Sequence, residues 1–305
     1  MNKDFTDQLS WEEFFKESKK ETKILNVKPF NRMIAHSKNF FIISGYGAFT
    51  QGYQVIITKD FIPSFGLVEE ENLDELQFII KISKEIIKEK FDRKSIIFEH
   101  GMCACIGGLD RAHLHIMSAH NDTNNETLKK SINKTLYDRK AGIEYIKFKN
   151  YKLENLHDIN QFLQESQNDK ELKFEVVGKI LDLEDIKDLS QKNWPEETTD
   201  HIKKGGHYVF FRGEFDETSF LTTHNFQTQF GRQVVFENEL YLNKLFVEKV
   251  NKIKKNNQFL EVWKWQNCMF ETNIVETVNL GRLCFKDLQE KYKKEFERFE
   301  IKTIT

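Results

Sequence analysis

Residues 111–117 read Arg-Ala-His-Leu-His-Ile-Met, an alternation of polar and apolar side chains that suits a half-buried β-strand. As a strand it places Arg111, His113 and His115 on one face and turns Ala112, Leu114 and Ile116 into a core. The segment before it, residues 95–110, carries an apolar run (Ile96, Ile97, Phe98) that ends at Glu99 and His100, followed by a small-residue loop with Gly107 and Gly108. One strand therefore presents a cation and two imidazoles in a row, backed by a hydrophobic layer. An imidazole near its ordinary pKa is partly neutral at pH 7 and can act as a general base or a nucleophile. Attack on phosphorus would give a covalent phosphoramidate and divide one difficult displacement into two easier ones. A second imidazole and a guanidinium beside it suit orientation and charge compensation on a transferring phosphoryl group. Consecutive N–H groups of the glycine loop suit an anion. The same His-x-His pair is also compatible with a metal site or with two structural histidines.

The surrounding chain narrows these readings. The stretch 40–76, FFIISGYGAFTQGYQVIITKDFIPSFGLVEEENLDEL, followed by 95–117, resembles the histidine-triad (HIT) family. The likeness lies in the order strand, "PGH"-like turn, strand, "IPSF", helix, strand, glycine loop and histidine strand, over roughly residues 25–120. In the resemblance His113 takes the place of the middle histidine, which carries a covalent nucleotidyl group, and His115 takes the third. Arg111 stands where the family has its first histidine, and Tyr53 where the "PGH" histidine is usual. The resemblance implies catalytic roles for His113, His115 and Arg111. It implies substrate contacts for Tyr53, Glu99, His100, Gly107 and Gly108. Residues 225–233, NFQTQFGRQ, with a Trp263-Lys264-Trp265 further on, resemble a stretch of long bacterial members of the family, which adds Gln229 and Arg232 as candidate phosphate contacts.

Composition bounds the partners. With 46 Lys and Arg against 48 Asp and Glu, the net charge of −2 argues against a general nucleic-acid field. No apolar run reaches the ~20 residues of a membrane span, and residues 1–21 lack a signal-peptide core, so a cytoplasmic setting without a membrane partner is expected. Four cysteines are too few and scattered for a disulfide framework. Cys103 and Cys105 could join His100 at a metal, but the N-terminal Cys-x-x-Cys usual for zinc in the family is missing, and tight loop packing is the preferred reading. No resident metal or cofactor is expected, although a divalent ion can accompany the substrate.

The expected fold is α+β, with a HIT-like, mostly antiparallel sheet and a packed helix, plus an α/β C-terminal extension. The expected organisation is an N-terminal helix over 1–24, a HIT-like domain over 25–125, and an extension over 126–305 with a charged insertion at 164–204. The spacing of Leu73, Leu76, Ile79, Ile80, Ile86 and Ile87 predicts an amphipathic helix over 69–91. The polar run 118–135 reads as a loop. Further helices are expected over about 236–254 and 287–301, the latter docking on this chain or on a partner. The resemblance implies a nucleotide hydrolase or nucleotidyltransferase working at the α-phosphate of a dinucleoside polyphosphate or nucleotide sugar. The partner would be a small nucleotide-containing molecule, with a homodimer also allowed. The alternative is a nucleotide-binding or sensing module that has lost turnover.

Overall fold

The computed structural model describes residues 32–60, 62, 64–101, 112–139, 208–213, 219–222, 229–237, 240 and 271–304. The expected N-terminal helix, Gly107, Gly108, Arg111, Cys103, Cys105, the insertion at 164–204 and the Trp263–Trp265 pair lie outside them.

Short runs rich in Ile, Val and Phe form the strands, as their β-branched and aromatic side chains favour. They are β1 (Met33–His36), β2 (Phe40–Ser44), β3 (Gln54–Thr58), β4 (Lys94–Gly101), β5 (His113–Ala119), β6 (Tyr208–Gly213), β7 (Ser219–Thr222) and β8 (Lys302–Thr303). They join in one sheet of order β7-β6-β4-β5-β3-β2-β1-β8, and every neighbouring pair is antiparallel. Strand β5 is interior to it, flanked by β3 and β4, and all seven of its residues are buried. This is an α+β protein built on a mostly antiparallel sheet.

Register decides what shares a face. His115 lies opposite Phe98 on one side and Val55 on the other, and His113 lies opposite Ile57. Leu114 pairs with Glu99 and Ile56, and Ile116 with Ile97 and Gln54, so these side chains occupy the second face. A 3-10 turn (Phe65–Leu67) sits on that second face, where the Phe65 N–H donates to Glu99 Oε1 at 2.7 Å and the Phe65 ring stacks 6.1 Å from Phe40.

The helix expected over 69–91 is α1 (Leu73–Phe91), preceded by a 3-10 turn (Glu70–Asn72). Its predicted apolar residues are all buried, and it packs against β4 and β5. Asp74 and Glu75 stand in its first turn and Lys88 and Lys90 in its last, which complements the helix dipole. It stops at Asp92, whose φ of 48° is left-handed. Helix α4 (Glu271–Lys291) lies beside α1 and against β1 and β2. The helix expected over 287–301 is interrupted at Tyr292, and a short α5 (Lys293–Arg298) follows. Phe78 of α1 meets Phe296 and Phe299 there, so this end docks on its own chain.

Two expectations change. The polar run 118–135 is not all loop, because α2 (Asn125–Arg139) starts within it. A reciprocal cap starts the helix: the Thr127 N–H donates to Asn124 Oδ1 at 3.0 Å, and the Asn124 N–H to Thr127 Oγ1 at 2.8 Å. Leu128 and Ile132, one turn apart, are fully buried and supply its apolar stripe. The helix expected over about 236–254 is not continuous at its start: α3 (Phe230–Glu237) ends there and Leu240 lies in no helix, while residues 241–254 lie outside the described ones.

The sheet is not confined to residues 25–125. Strands β6 and β7 extend it past β4, and β8 pairs with β1 at the far edge. Arg282 of α4 donates through Nε and Nη2 to the Met33 carbonyl, and Gln51 and Gly52 bond to Glu276 and Thr277. Fully buried Phe40, Phe41, Phe49, Phe98, Phe211, Phe230 and Phe285 come from both halves of the chain. Among the described residues no helix is long and apolar enough to cross a membrane.

Candidate active site

Alternation in β5 sets His113 and His115 side by side on one face, with ring centroids 5.1 Å apart and planes at 72°. Both are buried. His115 is held on all sides. Its ring stacks on Phe98 at 4.5 Å with planes only 12° apart, and Tyr53 lies 5.8 Å away on another side. The Tyr53 hydroxyl is 2.5 Å from His115 Nδ1. Burial pushes the His115 pKa well below its usual value, with the His113 and His100 imidazoles and the Arg232 guanidinium acting in the same direction. His115 is therefore a neutral imidazole at pH 7.

Tyr53 reaches this position because the turn before it leaves room. A Cβ on Gly45 would come within 2.5 Å of the Tyr53 ring. The Arg232 guanidinium lies 5.6 Å from the centroid of the same ring and 4.8 Å from that of Phe49. Its Nη1 and Nη2 donate to the carbonyls of Tyr46 (3.2 Å) and Gly47 (2.7 Å). Arg32 holds the same turn from another side, donating to the Ser44 carbonyl at 2.9 Å and lying 3.8 Å from the Tyr46 ring centroid. Two buried cations thus fix the loop that delivers Tyr53.

Helix α3 closes over the histidine face. Gly231 sits directly on Phe98, where a Cβ would come within 2.2 Å of the ring. The Gly231 N–H donates to His100 Nε2 at 2.8 Å, so that nitrogen carries no proton. Phe230 meets Phe211, and Phe236 meets Phe49 edge-on at 5.4 Å. Gln229, just before α3, has a φ of 68°, a left-handed conformation that costs a residue with a side chain roughly 1–2 kcal/mol. Backbone strain of this kind gathers at functional sites.

The structure brings together five of the residues picked out in the sequence, His113, His115, Tyr53, His100 and Arg232, and leaves Gln229 buried just before α3. It gives three of them duties other than a direct substrate contact. Tyr53 bonds His115, His100 bonds the start of α3, and Arg232 braces the turn. Glu99 is placed elsewhere, because alternation turns it to the second face, where it holds Phe65. Lys59, at the end of β3, donates to the Ser37 carbonyl and lies 5.2 Å from the Phe41 ring centroid; burial lowers its pKa. Two members of the site had no local signal. Phe98 reads as one more core residue until register sets it under His115, and Gly231 as an ordinary helix glycine until it meets Phe98.

Among the described residues no group of three or more His, Cys, Asp or Glu side chains is arranged to hold a metal ion. The arrangement can hold one imidazole rigid and neutral beside a second, with further donors close by. A search with protein-family models finds no match to the chain, and a search of curated proteins finds none either.

Proposed function

We propose that this chain is a nucleotide hydrolase or nucleotidyltransferase of the histidine-triad kind, acting at the α-phosphate of a dinucleoside polyphosphate or nucleotide sugar. The observation that carries the reading is the pair His113–His115 on one face of an interior strand, with His115 locked between Tyr53 and Phe98. Such rigidity is worth more to a reaction than to a core, because a core needs no imidazole held in one orientation.

In the proposed reaction an unprotonated ring nitrogen of His113 attacks the α-phosphorus. The new P–N bond forms as the bond from that phosphorus to the leaving oxygen breaks, and the electron pair departs on the leaving phosphate. His113 then carries the nucleoside monophosphate. Water or an acceptor phosphate attacks the same phosphorus, the P–N bond breaks, and the imidazole is regenerated, while the proton of the attacking water passes to solvent. His115 donates a hydrogen bond to a phosphate oxygen whose charge grows in the transition state. By the resemblance Arg111 and the Gly107–Gly108 loop would add positive charge and N–H donors.

Turnover of a substrate panel tests the reading. Diadenosine polyphosphates and nucleotide sugars are supplied to the wild type, to His113→Ala and to His115→Gln. The reading expects cleavage by the wild type, loss of at least a thousandfold in kcat for His113→Ala, and a smaller loss for His115→Gln. Equal rates in wild type and His113→Ala would reject it.

A specific observation favours a second reading, a nucleotide-binding module without turnover. Arg232 and His100 commit hydrogen-bonding atoms to the protein itself. On that reading the wild type binds nucleotides, forms no product, and loses little affinity on His113→Ala.

A further inference from the structure

We propose that Tyr53 is a positioning residue that places the proton of His115 on Nε2, so that this imidazole meets a bound phosphate as a fixed neutral donor. The two groups are buried and 2.5 Å apart, a contact between the phenol oxygen and Nδ1 that needs one proton between them. The phenol and the imidazole could each supply it. Three features of the structure favour the phenol.

The first is the cage around Tyr53. Gly45 lies under the ring, Arg232 over it and Phe49 beside it at 6.3 Å, which holds the hydroxyl on Nδ1. A tyrosine held this way acts on His115 as a fixed donor. The second is charge. A guanidinium 5.6 Å from the ring centroid stabilises negative character on the phenol oxygen and strengthens its O–H as a donor. The third is that His115 is buried, which disfavours its charged form, and His113 on its own strand, His100 on β4 and Arg232 on α3 act in the same direction. A neutral imidazole has one N–H; if Nδ1 accepts from Tyr53, that N–H is at Nε2. The stack on Phe98 fixes the plane of the ring, so the direction of the Nε2–H bond is fixed too.

The consequence for chemistry rests on the function proposed above. A donor that is neutral before and after reaction does not need to gain or lose a proton at each turnover. It stabilises an oxyanion without becoming a competing acid. His113 alone then changes its bonding, which separates the nucleophile from the donor although both are imidazoles on one strand.

The test is a long-range proton–nitrogen correlation spectrum of the full chain with 15N-labelled histidine at pH 7, comparing wild type and Tyr53→Phe, with His115→Gln used to assign the signals. The expected wild-type spectrum shows an unprotonated Nδ1 and a protonated Nε2 for His115. In Tyr53→Phe, which keeps the ring and removes only the donor, the ratio of the two tautomers falls by roughly tenfold, about what one buried hydrogen bond sustains. Dispersed signals for the other histidines in the variant confirm that it is folded. A wild-type His115 with its proton on Nδ1, or with both nitrogens protonated, overturns the inference. So does an unchanged tautomer in folded Tyr53→Phe. A spectrum as expected in a protein that turns over no nucleotide supports this inference and rejects only the proposed reaction.

Discussion

Gly231 is the residue whose replacement has the least ambiguous sign. In an exposed helix glycine to alanine stabilises by up to about 1 kcal/mol, because the glycine gives up more backbone freedom on folding. Here the added methyl would run into the Phe98 ring, which is itself clamped between Gly231 and His115. Overpacking costs typically 1–3 kcal/mol and outweighs the propensity gain. Gly231→Ala is therefore expected to lower the urea midpoint by an amount equivalent to about 1–2 kcal/mol, and a raised midpoint would contradict the packing described. The histidines themselves were legible from the sequence, since alternation in residues 111–117 fixes their common face. The same rule applied to β4 separates Glu99 from His100, and only the strand's own pairing shows which of the two joins the histidines. The clamp was not legible, because it joins positions 98 and 231 and no local pattern records a contact over that separation.

At the scale of elements, helix α2 shows how a helix escapes a reading by hydropathy. Its 15 residues, NETLKKSINKTLYDR, are mostly polar, and among its described buried side chains, Leu128, Ser131, Ile132 and Thr135, two alone are apolar. The cap supplies the missing signal. Asn124 and Thr127 satisfy each other's N–H groups, so Asn124→Ala is expected to cost about 1 kcal/mol of stability. Hydrogen exchange of the α2 amides should quicken by a comparable factor, while the sheet amides change less. Equal quickening everywhere would mean that α2 is no separate unit of opening. Helix α1 was legible from end to end because six apolar residues repeat at helical spacing, and its start moved only by the short 3-10 turn before it. Strands β6, β7 and β8 carry no mark of which sheet they join. Their places beside β4 and β1 are set by long-range pairing, which sequence periodicity does not encode.

The whole molecule couples its stability to pH through buried imidazoles. His115 is held well below its usual pKa by burial and by the His113, His100 and Arg232 side chains around it, and half-buried His36 is lowered by burial and by Lys59. Both take up a proton at a lower pH in the fold than in the unfolded chain, whose imidazoles are protonated below about pH 6.5. The unfolded state then binds more protons, so stability is complete above that pH and is lost as the pH falls below it. For His115 the loss approaches roughly 1.4 kcal/mol for each pH unit, and His36 adds a smaller share. The melting temperature is expected to hold steady from pH 8 to 7 and to fall between pH 6.5 and 5.5, with His115→Gln flattening the slope. A melting temperature independent of pH over that interval would contradict the burial of a neutral His115. The coupling also shows how the far half of the chain serves the histidines: Arg232, on α3, contributes to the field at His115 and braces the turn that carries Tyr53.

The central claim is that His113 takes a nucleotide covalently. Intact-protein mass spectrometry after brief incubation with diadenosine polyphosphates and nucleotide sugars measures this directly, with His113→Ala alongside. The account predicts a mass increase of one nucleotidyl group (a nucleoside monophosphate less one water) on the wild type, labile to acid and missing from the variant. Product formation with no adduct on rapidly quenched wild type, or an adduct of equal size on His113→Ala, would contradict it.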